Sequence, residues 1–153
     1  MYNRLVEPPE EYDFEKLARE IVLSRLKGSD KGPEGAAEIL KQLIVGGVMG
    51  TRLRQAPRLT VSAVCRGIMS GMLLIEKDLP RTAVKILGEL PVISNEIPID
   101  PADLMTWAME GIAAVAHMAG PAAQSSIQEL IEEKFMGAGP VFGELCHKAS
   151  RAL

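Results

Sequence analysis

The chain is poor in the residues on which most covalent and metal chemistry depends. Only two cysteines and two histidines occur among its 153 residues. Cys65 and Cys146 are too few and too scattered for a disulfide framework, so a reducing compartment is expected, with the cytoplasm as the location. His117 and His147 lie on different segments. They serve a zinc site only if the fold brings both together with cysteines or carboxylates. No metal or cofactor is expected. Aromatic residues make up just 4% of the chain: one Trp, two Tyr and three Phe. The core must therefore be filled by aliphatic side chains and by eight methionines, which adapt to irregular gaps.

Other absences narrow the function. No Gly-x-Ser-x-Gly elbow, Walker loop, dinucleotide fingerprint or HExxH is present, so no catalytic activity is identifiable and the balance is towards a non-enzyme. Asp103 and Glu110, seven residues apart, are the one carboxylate pair considered for acid–base work, and such pairs on helices are mostly solvated. Three apolar runs approach membrane length, roughly 36–50, 59–75 and 104–120, but each is interrupted by a charge: Lys41, Arg66 and Glu110. A span needs about 20 residues with few or no charges, so these read as buried core helices, and no membrane partner is expected. The opening MYNRLVEPPEEYDF is acidic and holds no apolar signal-peptide stretch.

Positive charge is also unevenly placed. Between Ile86 and Glu133 there is no Lys or Arg, while eight acids fall there. The stretch from Lys16 to Lys85 carries a basic excess. Such asymmetry reflects a partner, head-to-tail self-association, or chance on solvated faces.

Proline is what the chain has in an organised form. Pro33, Pro57, Pro80, Pro101, Pro121 and Pro140 recur every 19 to 24 residues. Proline suits a first helical turn, where its missing amide hydrogen has no partner to lose. Gly32, Asp100, Gly120 and Gly139 directly precede four of them, and Gly and Asp both serve as N-caps. This punctuation predicts seven helices, at about 13–27, 33–54, 57–77, 80–90, 101–119, 121–136 and 140–152. Pro91 is expected to end the fourth, and 92–99 to form an extended connection. Residues 1–12 are expected to be a flexible acidic arm, with 13–153 a single helical domain.

The predicted fold class is all-α, a compact bundle of about seven helices with the apolar helices 3 and 5 at its centre. Taken in pairs the prolines repeat every 39 to 47 residues, close to the roughly 40–47 of HEAT and armadillo arrays. A HEAT-like α-solenoid of helix pairs is therefore the alternative. Small residues recur at spacing four: Gly46 and Gly50, then Ala63, Gly67 and Gly71. A mid-helix glycine costs about 1 kcal/mol relative to alanine, and close approach of another backbone is the compensation expected here.

Two sets of polar residues are candidates for a site. Trp107, Glu110, Ala114 and His117 share one face of helix 5, and Arg66, the only charge inside helix 3, is the expected partner of Glu110. A lone buried charge costs several kcal/mol, so the two should either meet or both reach solvent. Met69, Met72, Met105, Met109 and Met118 could line a pocket there or simply fill the core. The second set is Arg52, Arg54 and Arg58, a basic corner able to touch an anion or a partner. Nucleic acid is disfavoured by a pI near 5.5 and by the absence of interleaved aromatics. The expected function is a helical protein–protein interaction or structural module that self-associates, its partner being a copy of itself or another protein. The alternative is a small-molecule-binding or sensor domain with a pocket beside helices 3 and 5.

Overall fold

A computed structural model describes residues 12–50 and 55–151. Most of the expected arm, the predicted end of helix 2 with Arg52 and Arg54, and the last two residues lie outside that range. Seven helices are present among the described residues: α1 (Phe14–Leu26), α2 (Gly32–Met49), α3 (Pro57–Leu74), α4 (Leu79–Ser94), α5 (Pro101–Ala119), α6 (Pro121–Lys134) and α7 (Ala138–Arg151).

The start signals act as their chemistry dictates. Five helices, α2 to α6, carry proline in the first two positions. Asp13, Asp78 and Asp100 cap α1, α4 and α5, their carboxylates accepting from the amides of Lys16, Arg81 and Ala102 at 2.8–3.0 Å. Each satisfies one of the amides a helix start leaves without a carbonyl. Gly120 alone forms the corner between α5 and α6, at φ 110°, a backbone state that side chains oppose.

Pro91 does not end α4. The helix continues to Ser94, and the Ser94 hydroxyl donates to the Pro91 carbonyl at 2.9 Å. An interior proline costs about 3 kcal/mol. Downstream, Ile93 and Ile97 are 0% and 5% exposed, and burying two isoleucines returns roughly 3–6 kcal/mol. Burial therefore outweighs the lost hydrogen bond, and 92–94 stays helical, while 95–99 are tight turns and bends rather than an extended connection. The other departures are α7, which starts two residues before Pro140, and the early ends of α2 at Met49, of α3 at Leu74 and of α6 at Lys134.

The helices sort into two layers. Helices α1, α3, α5 and α7 lie side by side in that order, and α2, α4 and α6 form the second layer. Consecutive helices touch across the layers, and no other pair of described helices makes contact. The molecule is thus an all-α bundle whose internal order is that of stacked helix pairs, the feature it shares with the alternative architecture. Helices α3 and α5 are central, each flanked within its layer and backed by two helices of the other. One cluster of buried side chains takes members from all seven helices, from Phe14 through Ile68 and Ile112 to Phe142.

Glycine sets the spacing within the first layer. A Cβ at Gly67 would collide with the Glu15 carbonyl and stand 2.8 Å from Ala18 Cβ; at Gly71 it would meet Val22 at 2.8 Å. Both glycines therefore seat α3 directly on the α1 backbone. Gly111 does the same for α5 on α3, against the Ser62 carbonyl and the Arg66 amide.

Candidate functional site

Buried positions cover most of the circumference of α3 and α5, leaving each with one exposed strip on the outer face of the first layer. Trp107, Glu110, Ala114 and His117 all lie on that strip of α5, half-buried. Trp107 packs against the core cluster from its edge. Met69, Met72 and Met109 are core, Met105 flanks it, and Met118 is exposed.

Arg66 and Glu110 do not meet. Arg66 Nε lies 2.7 Å from Glu15 Oε1 on α1, and Arg19 Nη1 approaches the other oxygen of Glu15 at 3.9 Å. Glu110 instead takes Arg58 in a two-pronged grip, Nε to Oε1 at 3.1 Å and Nη2 to Oε2 at 2.6 Å. The side chains of Arg66 and Glu110 are 36% and 22% exposed, so both reach water and neither stands alone. The reason lies in the glycine seam. Gly111 brings α5 against the Arg66 backbone, so the Arg66 side chain projects to the opposite flank, towards α1. Of the basic corner, Arg58 is committed to α5, and the Glu110 carboxylate, by hydrogen bond and by charge, raises the guanidinium above its usual pKa.

The small-residue positions divide. Gly67 and Gly71 stand at close backbone contacts, and Ala63 lines a cleft of about 340 Å³ between the starts of α1 and α3. Gly46 has nothing beside it among the described residues, and Gly50 meets only the Gly46 carbonyl of its own helix. The tight neighbour on α2 is Gly47, against Phe14 and Thr60 at 2.9 Å. Gly111 and Gly35, at the α3–α5 and α1–α2 contacts, carry no such signal in the sequence, because each stands outside the four-residue spacing.

The arrangement least legible beforehand is the groove between α6 and α7. It comprises two open clefts, of about 510 and 530 Å³, that share Ser125. Gly139 and Gly143 let α6 lie close: a Cβ at either would stand 2.8 Å from Glu132 and Gln128 respectively. The Glu132 carboxylate accepts from the amides of Gly137 at 3.0 Å and Gly139 at 2.9 Å, so it caps the start of α7 from the preceding helix. Those two amides hold its pKa below the ordinary carboxylate value. At the other end of the groove His117 and His147, far apart in sequence, line one cleft with Gln124 and Ser150.

Both cysteines are free and buried. Burial pushes the Cys65 thiol up to about 12 and that of Cys146 up to about 11, so neither is a ready nucleophile. Among the described residues no group of three His, Cys, Asp or Glu is gathered as a metal site, and no helix is long and apolar enough to cross a membrane. The chain matches no protein-family model, and no curated protein or solved structure matches it.

Proposed function

We propose that this chain is a protein–protein interaction module that associates with itself. The observation that carries the reading is the layered order of the helices. Within each layer an internal helix has a neighbour on both sides, whereas α1 and α7, and α2 and α6, have one on a single side. A stack of helix pairs ended in this way presents open edges on which further helices can continue the pattern. The interior supports the same reading, being packed with aliphatic and methionine side chains. The candidate polar residues lie on outer faces, where Arg58–Glu110 and Arg66–Glu15 bind helices together.

Sedimentation equilibrium of the full chain at 10–100 μM, at low and at physiological salt, tests the proposal. A concentration-dependent mass above that of the monomer is expected. A monomer under both conditions removes the self-associating part.

A further inference from the structure

We infer that the α6–α7 edge is the surface through which two copies of this chain meet, in an antiparallel, two-fold contact; the inference rests on the self-associating module proposed above. The groove along this edge is lined by small residues, among them Ser125, Gly139 and Gly143, and by polar ones such as Gln128, Glu129 and His147. Met136 stands at its tip with 93% of its surface exposed, and Val141 is nearly half exposed.

Charge selects the occupant. The two helices run in opposite directions, so the C-terminal half of α6 lies beside the N-terminal half of α7. Glu129, Glu132 and Glu133 gather at that end, with Lys134 behind them, while the first half of α6, Pro121–Gln128, is uncharged. At the opposite end α7 carries His147, Lys148 and Arg151, and only Glu144, near mid-length, interrupts. No salt bridge within the described residues uses Glu129, Glu133, Lys148 or Arg151. The edge is therefore acidic at one end and basic at the other. A two-fold axis perpendicular to the helices lays the acidic end of each copy over the basic end of its mate, so one surface complements itself, as an isologous contact requires. The α1–α2 edge has no such polarity. Its charges are mixed or already paired: α1 carries Glu15, Lys16, Arg19, Glu20 and Arg25, and α2 carries Glu34, Glu38 and Lys41, with Glu15 bound to Arg66 and Lys41 to Glu96.

Size sets the expected strength. Helices of 14 residues are about 21 Å long at roughly 1.5 Å per residue, and two side by side span about 20 Å. A contact of that size sits at the low end of specific interfaces. A micromolar, salt-weakened dimer is expected, since rim charges steer and select more than they bind.

Charge reversal tests the geometry. One variant carries Glu129→Lys and Glu133→Lys, the other Lys148→Glu and Arg151→Glu; Glu132 is left in place because it caps α7. All four positions are exposed, and circular dichroism with thermal melting checks that each variant folds. Each variant alone should dimerise about ten-fold more weakly than the natural chain. Mixed in equal amounts they should form a heterodimer of at least natural strength, because both ends then bring opposite charges together. A natural chain that dimerises while both variants do so equally well overturns this surface and leaves self-association standing. A mixture no stronger than its components overturns the antiparallel arrangement. A natural chain that is monomeric at 100 μM in low and in physiological salt overturns this surface together with the self-associating part of the proposed function.

Discussion

Substituting Gly67 and Gly88 by alanine adds the same methyl group to two helices with opposite expected results. Gly88 stands mid-way along α4 with nothing within 4 Å of an added Cβ. Its replacement gains only the helix preference of alanine, about 1 kcal/mol. At Gly67 that same gain is opposed by collision with the Glu15 carbonyl and with Ala18 Cβ at 2.8 Å. Inserting a methyl group into a packed interior costs about 1–3 kcal/mol. Here the obstacle is the backbone of α1, which cannot rotate aside as a side chain can, so the top of that range applies. Gly67→Ala should therefore destabilise by about 2 kcal/mol net, and Gly88→Ala should stabilise by about 1 kcal/mol. For a chain of this size the melting temperature moves by about 2–4 °C per kcal/mol, giving a fall of about 4–8 °C in the first variant and a rise of about 2–4 °C in the second. Urea unfolding should show the same order, with a midpoint lower by about 1 M for Gly67→Ala at an unchanged slope. If Gly67→Ala melts at or above the natural chain, the close seating of α3 on α1 is wrong.

Further outcomes follow from the polar contacts. The Glu132 pKa is lowered by the amides of Gly137 and Gly139, so its contribution is present above the unfolded carboxylate value of about 4.3 and is lost as pH falls through the depressed folded value; urea unfolding should show Glu132→Gln less stable at pH 7, with the gap closing on acidification. The buried thiols of Cys65 and Cys146, raised to about 12 and about 11, should resist a disulfide reagent at pH 8 in the native protein and both react in denaturant; fast native labelling of either would contradict the burial. A double-mutant cycle on Arg58 and Glu110 should give a coupling of about 0.5–1 kcal/mol that shrinks with salt, because the Arg58 side chain is 61% exposed and such pairs are worth little even with good geometry.

Much of the fold was written in its punctuation. The prolines and the aspartates before them marked the starts of α2 to α6 because those signals act within a few residues of themselves. Pro91 is no stop signal here because its local effect is opposed by the burial of Ile93 and Ile97, which depends on helices distant in sequence. The polar residues show the same division. That Trp107, Glu110 and His117 share a face follows from helical spacing. That Glu110 meets Arg58 rather than Arg66 depends on how Gly111 seats α5 on α3, a register that no single-helix pattern contains. The α6–α7 groove has no sequence signature for a like reason: Gly139 and Gly143 acquire meaning only beside Glu132 and Gln128.

The alternation of layers also has a consequence in time. The principal neighbour of α1 is α3, not the helix that follows it, and about 50 residues separate the ends of the two. Translation proceeds at about 5–20 residues per second, so the face bearing Ala18 and Val22 waits on the order of 2–10 s after α1 has been made before its cover is complete. Helices α2 to α5 wait in the same way for the one two places behind them. The nascent chain therefore folds with a standing lag of one helix pair, and that lag is the interval in which a chaperone has something to hold.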